Sequence, residues 1–243
     1  YNMKYLSPLF GVAVLALLSA CGGSGGGNSN NSGNNSSNPP VDTGSYIFQN
    51  SFNADWGSFS AFEWSTTTNS GKNYTDDHSG NFVSWSIVDA TGSDHKSVVD
   101  VKLGNAANVW GQFEVSLKKD LSSYGTGKVS FDINPLDFGS DWDNTTQSAT
   151  FEARVECVWP CTSHPYLIVL KKTNEWSHVE LDIKEMVTDG LDLTNIDRAL
   201  IIKPSNSRAQ NVHLQLDNIR WEKGTGSLPT SNPLVAEHFN LYT

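Results

Sequence analysis

The feature that most constrains this chain is an alternation of apolar and polar residues that recurs from Tyr46 to Trp221. "YIFQNSF", "NFVSWSIVDA", "KSVVDVKLG", "NVWGQFEVSL", "GKVSFDINPL", "SATFEARVECVW", "PYLIVLKK", "SHVELDIKEM", "RALIIKPS" and "VHLQLDNIRW" each alternate or run apolar over the length of a strand. Clusters of Gly, Asn, Asp and Ser separate them. A period of two puts successive side chains on opposite faces of a sheet, so each segment can bury one face and solvate the other. Only "IKEMVTDG" has the makings of a short helical turn. Roughly ten strands with so little helix predict an all-β domain, an antiparallel β-sandwich of the jelly-roll kind.

The same alternation assigns faces. In "NVWGQFEVSL", Val109, Phe113, Val115 and Leu117 share one side, and Trp110, Gln112, Glu114 and Ser116 the other. In "SATFEARVECVW", Ala149, Phe151, Ala153, Val155 and Cys157 point to the core, whereas Thr150, Glu152, Arg154 and Glu156 point away. In "GKVSFDINPL", Val129, Phe131 and Ile133 point in, and Asp132 and Asn134 out. An ordinary solvated sheet face accounts for these outward residues. So does a sugar-binding face, where an aromatic ring stacks on pyranose C–H groups and fixed amides, carboxylates and guanidinium groups address the hydroxyls. The candidate binding residues on that reading are Trp110, Gln112, Glu152 and Arg154, with Trp142 or Trp159 reaching in from a loop. Eight Trp is a high count for 243 residues, and at least half are expected in the core. The formal net charge of −10 argues against nucleic acid, whose phosphates favour Lys and Arg.

Ahead of the strands, Lys4 precedes an apolar run from Leu6 to Leu18 that is too short for a spanning helix. It ends at "LSAC", which resembles the bacterial lipobox and implies cleavage before Cys21 and lipidation of its thiol. The plainer alternative is a secretory signal with a chance cysteine. Gly22 follows the cysteine where an aspartate would retain a lipoprotein at the inner membrane, so the resemblance implies an outer-membrane lipoprotein, on its cell-surface or periplasmic side. Residues 22–45 are almost all Gly, Ser and Asn and are expected to be a disordered tether, with a typical end-to-end distance of roughly 25–30 Å. The expected organisation is therefore signal and lipobox at 1–21, linker at 22–45 and a β-domain at 46–223. Residues 224–243 are expected to hold a second linker and the start of a possible further domain, because "LVAEHFNLYT" faintly echoes "YIFQNSFNADW". An exported chain meets an oxidising compartment, so Cys157 and Cys161 of "VECVWPCTS" are expected to pair. Zinc is the competing reading, with His164 nearby but no evident fourth ligand.

Four segments, "SLKKDLSSYGTGKVSFDINPLD", "ATFEARVECVWPCTS", "EWSHVELDIKEMVTDGLDLTNIDRALIIKP" and "VHLQLDNIRW", together resemble galactose-binding-like jelly-roll carbohydrate-binding domains. Among these, the segments are similar to the C-terminal domains of bacterial exo-β-1,3/1,4-glucanases, with their short cysteine–aromatic–proline–cysteine loop. The resemblance runs from about Val115 to Trp221, and Tyr46 to Asn108 matches by pattern alone. It implies a non-catalytic module serving a glycoside hydrolase, with a polysaccharide as partner: β-glucan, or agar-type galactan as the rival. It also implies one structural Ca2+ with Asp217 among its oxygen ligands, against the plainer reading in which Asp217 bonds a neighbouring turn. "ELDIKE" separately resembles the active-site strand of laminarinases, agarases and carrageenases, which would make Glu180 and Glu185 a nucleophile and an acid/base. The accessory-domain pattern covers a far longer stretch around it, so no catalytic residue is assigned. Glu152 and Glu156 would lie about 13 Å apart along one strand, too far for either glycosidase geometry. A structural or adhesive lipoprotein without a sugar site is the third reading.

Overall fold

The computed structural model describes residues 46–75, 82–90 and 94–226. Cys21, the Gly/Ser/Asn-rich stretch and the segment after Gly226 lie outside the described residues. The strands are β1 (Tyr46–Gln49), β2 (Ser51–Phe52), β3 (Ser58–Ser65), β4 (Ser70–Tyr74), β5 (Val83–Asp89), β6 (Ser97–Leu103) and β7 (Val109–Lys119). They continue as β8 (Lys128–Asp137), β9 (Ala149–Glu156), β10 (Tyr166–Leu170), β11 (Ser177–Asp182), β12 (Ile196–Pro204) and β13 (Val212–Glu222), with one short helix, α1 (Ile183–Thr188). The alternation marks ten of these regions. It misses β3 and β4 and runs β1 and β2 together.

All pairings are antiparallel. One sheet has the order β11-β8-β13-β1-β2, with β6 pairing β13 and β5 pairing β6. The other has the order β10-β9-β12-β7-β3-β4. This is the expected all-β sandwich. The inner faces carry the residues that the period of two assigns, including Phe113, Val115, Val129, Phe131, Ile133, Phe151, Ala153 and Val155, all essentially buried. Burying one such large side chain contributes about 1.5–3 kcal/mol. Trp221 packs edge-on against Tyr124 and close to Trp56. Its indole N–H donates to the Ala199 carbonyl (3.1 Å), so the buried ring leaves no donor unpaired. Of the eight Trp, only Trp56, Trp85 and Trp221 are buried, fewer than the half expected. The rest keep ring surface outside the core.

Glu63 breaks the apolar inner face of β3. It is buried, and its Oε1 accepts both the Phe82 and the Val83 N–H at 2.7 Å. Those two donors lie just before and at the start of β5 and would otherwise be buried unpaired. Gly111 lies opposite Glu63 in the β7 register, and a Cβ there would come 2.4 Å from Val83 Cγ2. The glycine makes room for β5 to close over the end of the sandwich, and the carboxylate fixes it there. Glu63→Ala is expected to lower stability by about 2–4 kcal/mol, because two buried N–H groups lose their acceptor. Glu63→Gln, which keeps a carbonyl acceptor, should recover most of that loss. Urea unfolding followed by tryptophan fluorescence measures both.

Candidate functional site

The outer face of the six-stranded sheet is built from register. Across β3 and β7, Trp64 pairs with Trp110, Phe62 with Gln112 and Ser60 with Glu114. The three rings form a cluster: Trp64 and Trp110 stack at 6.5 Å and 22°, and Phe62 lies 5.5 Å from Trp110. Each is half-buried. Gly71 on β4 lets them lie close to the sheet, since a Cβ there would fall 2.4 Å from Phe62 Cζ.

Beside the rings the floor turns polar. Glu114 is only 2 % exposed. Its Oε1 accepts from Gln112 Nε2 (2.7 Å), and its Oε2 accepts from Arg198 Nε (2.6 Å) and the Ser60 hydroxyl (3.3 Å). Arg154 Nη2 donates to Gln112 Oε1 (3.2 Å) and pairs with Glu156 (3.0 Å). Burial pushes the Glu156 carboxyl above its usual range; Arg154 opposes this and the neighbouring Glu114 charge adds to it. Arg198 reaches this face because β12 is bulged. Its register with β7 slips between Arg198 and Leu200, so Ala199 and Leu200 both enter the core while Arg198 and Ile201 both face outward.

The three rings and the Gln112, Glu114, Arg154, Glu156 and Arg198 side chains line a cleft of about 750 Å³, together with Asn73, Trp159, Asp197 and Lys203. Its far wall is the loop closed by the Cys157–Cys161 disulfide, the pairing expected from the sequence. Val158 sits at φ 67°, a region β-branched residues rarely enter. Its N–H donates to Asp197 Oδ1 (2.8 Å), and Asp197 in turn accepts from Arg198. The loop is thereby tied to the floor and presents Trp159, 69 % exposed.

Of the sequence-assigned residues, Trp110, Gln112, Arg154 and Trp159 line this cleft together. Glu152 lies on the same face, where Lys203 neutralises it (2.7 Å), but it does not line the cleft. Trp142 is elsewhere. It stacks on Phe138 (5.3 Å, 20°) and lines a second cavity with Asp141 and Thr150. Phe62, Trp64, Asn73 and Arg198 belong to the cleft and escape the sequence assignment. Phe62 and Trp64 are legible in "SFSAFEWS", a strand-length segment between Gly57 and a Thr-rich turn; it carries aromatics on both faces and so hides its alternation.

The remaining expectations fall on the other sheet. Asp217 accepts the Asn218 N–H at Oδ1 and faces His95 Nδ1 at Oδ2, each at 2.7 Å. The Asn218 contact is the plainer reading of Asp217, a bond to its own turn, and among the described residues no group of three His, Cys, Asp or Glu is placed to hold a metal. A Ca2+ held in part by Asp217 stays a proposal from the resemblance. Glu180 and Glu185 are not a facing pair. The strand ends at Asp182, which caps α1 by accepting from the N–H of Lys184 and Glu185. Glu180 stays on β11 beside Lys128, whose hydrogen bond holds it below the usual carboxylate range, whereas Glu185 accepts from the Tyr166 hydroxyl.

No family model and no curated protein matches the sequence. Among solved structures, the chain is similar to an exo-1,3/1,4-β-glucanase from a Pseudoalteromonas species, with 12 % identity over 76 % of this chain and 21 % of that one, TM-score 0.51. It is also similar to a family 11 carbohydrate-binding module of a Clostridium thermocellum cellulase, with 16 % identity over 69 % and 88 %, TM-score 0.44. An exo-β-agarase gives 13 % identity over 59 % and 23 %, TM-score 0.43. Likeness at this identity is one of fold: the antiparallel β-sandwich is shared with part of the glucanase.

The ion pair under the cleft yields a test. Arg198→Met leaves the Glu114 carboxylate buried without its counter-ion, with only Gln112 and Ser60 as donors. A loss of about 2–4 kcal/mol is expected in urea unfolding. Adding Glu114→Met should restore most of it, because the uncompensated charge is then gone.

Proposed function

We propose that this domain is a non-catalytic carbohydrate-binding module that holds a polysaccharide in the cleft over β3, β7, β12 and β9. The observation that carries this reading is the Phe62–Trp64–Trp110 cluster, half-open beside a hydrogen-bonded floor and faced by Trp159. Ring faces suit the C–H sides of pyranoses, and the Gln112, Arg154 and Glu156 groups suit hydroxyls. The charges lining the cleft balance: Glu114, Glu156 and Asp197 against Arg154, Arg198 and Lys203. That favours a neutral glycan over a sulfated or uronic one. A β-glucan is the first candidate, in keeping with the sequence resemblance and the fold shared with the glucanase, and agar-type galactan is the rival. The engagement of the carboxylates supports the non-catalytic reading. Glu114 spends both oxygens on protein donors, and Glu180 and Glu185 lie on separate elements.

On this reading Cys21 carries acyl chains that hold the module at the outer membrane, and the Gly/Ser/Asn-rich stretch lets it sample the space around its anchor. An associated hydrolase, on this polypeptide or another, would receive the captured polysaccharide.

Affinity electrophoresis against neutral β-glucans, agarose and a sulfated galactan tests the ligand class. Native protein should be retarded by a neutral polymer, with dissociation constants on the order of micromolar to millimolar. Trp110→Ala should abolish that retardation while costing only about 1–2 kcal/mol of stability, because the ring is half-buried. Unaltered retardation would place the site elsewhere, and retardation only by the sulfated polymer would overturn the neutral-glycan reading. For the anchor, Cys21→Ser should move the protein from the membrane fraction to the soluble one. Retention in membranes would disprove lipidation as the tether.

A further inference from the structure

The second cavity, about 680 Å³, lies at the other side of the same sheet face and is lined by Asp141, Trp142, Thr150, Val169, Ser205 and Asn206 among others. Trp142 is fixed in place: Phe138 covers one face of its ring, and its indole N–H donates to Asn144 Oδ1 (3.2 Å). Val169 projects from β10 beside it, 55 % exposed, and is paired in register with Thr150. Asp141 is a buried carboxyl whose oxygens accept only long bonds, from the Thr150 N–H (3.2 Å) and the Asn206 N–H (3.3 Å). Burial pushes its pKa up to about 6. Such a group retains lone pairs for a hydroxyl donor.

One stretch of chain joins the two cavities. Lys203 and Ser207 line the first, whereas Ser205 and Asn206 line the second. The Ser205 N–H donates to the Thr150 carbonyl, which holds this stretch against β9. Between the cavities stands the Lys203–Glu152 ion pair, both side chains mostly buried, so the ridge is low and pinned. From β3 to β10 there are four inter-strand steps, a span of about 19 Å. That is room for several linked sugars lying across the strands.

We propose that the Trp142–Asp141 cavity is a distal subsite of the Trp110 cleft, so that one linear glycan crosses β3, β7, β12, β9 and β10 over the Lys203–Glu152 ridge. The proposal rests on the glycan reading of the first cleft. It makes the module a reader of chain length: short oligosaccharides fill the Trp110 end, and only longer ones also reach Trp142.

Calorimetric titration with cello-, laminari- and neoagaro-oligosaccharides, from disaccharide to octasaccharide, separates the possibilities. Native protein should bind one series with affinity that rises until the chain spans both cavities. Trp142→Ala should leave the shorter members unchanged and weaken the longest by about tenfold. Trp142→Phe should restore much of that loss. Equal weakening at every length would mean that Trp142 only supports the fold through Phe138, and an unchanged octasaccharide would mean the cavity is not used; either overturns the proposal. If no series binds the native protein, or if Trp110→Ala changes nothing, the reading of the first cleft has failed instead.

Discussion

The outer face of the six-stranded sheet is organised around one buried charge, the carboxylate of Glu114. A carboxylate removed from water costs several kcal/mol unless donors replace its hydration. Here Gln112, Ser60 and Arg198 replace it, and each is then committed to one position. The commitment spreads. Gln112 fixes Arg154, Arg154 fixes Glu156, Arg198 reaches Asp197, and Asp197 holds the Val158 N–H of the disulfide loop. A single hydrogen-bonded chain therefore runs from the sheet floor to the loop that displays Trp159. Groups fixed before a ligand arrives lose little rotamer freedom on binding, which is how a shallow, polar cleft gains useful affinity.

How much of this was legible depended on whether each residue obeyed the period of two. β7 and β9 alternate without interruption, so Trp110, Gln112, Arg154 and the core residues between them could be placed from spacing alone. Arg198 could not. Counting back by twos from Ile201 puts Arg198 on the core side, and the bulge that reverses this is a tertiary feature with no local signature. Trp142 fails for another reason. It lies in an irregular loop, where no period applies, and its position is set by Phe138. The "ELDIKE" motif, to which no catalytic role was assigned, is a likeness of composition: its Asp182 is an N-cap, so the strand stops between the two glutamates.

The outward polar residues of both sheets read alike in sequence, and spacing could not say which face holds a cleft. The seven-stranded sheet also presents carboxylates and imidazoles, but they satisfy one another in pairs: Asp132 with His178, Asp217 with His95, and Asp100 with His213. Its nearby Trp176 is covered by the His95 ring at 3.9 Å. The difference between the faces lies in cross-strand register. Only pairing β3 with β7 brings Trp64 and Phe62 beside Trp110, and β3 was the strand the alternation concealed.

Leaving three large rings half in water has a cost, about 25 cal/mol for each Å² of apolar surface exposed. The cluster limits that cost, since each ring shields part of its neighbours, and Gly71 lets the group lie close to the sheet. What stays open is a rigid apolar surface of fixed outline. On the proposed function, a sugar laid on it would recover the exposed area without having to order the rings first. The paired charges beside it act differently. Because Arg154, Arg198 and Lys203 are already neutralised by Glu156, Glu114 and Glu152, they cannot also draw in an anionic polymer strongly. They remain oriented donors and acceptors, which on the proposed function would be worth most to a neutral ligand whose hydroxyls match their positions.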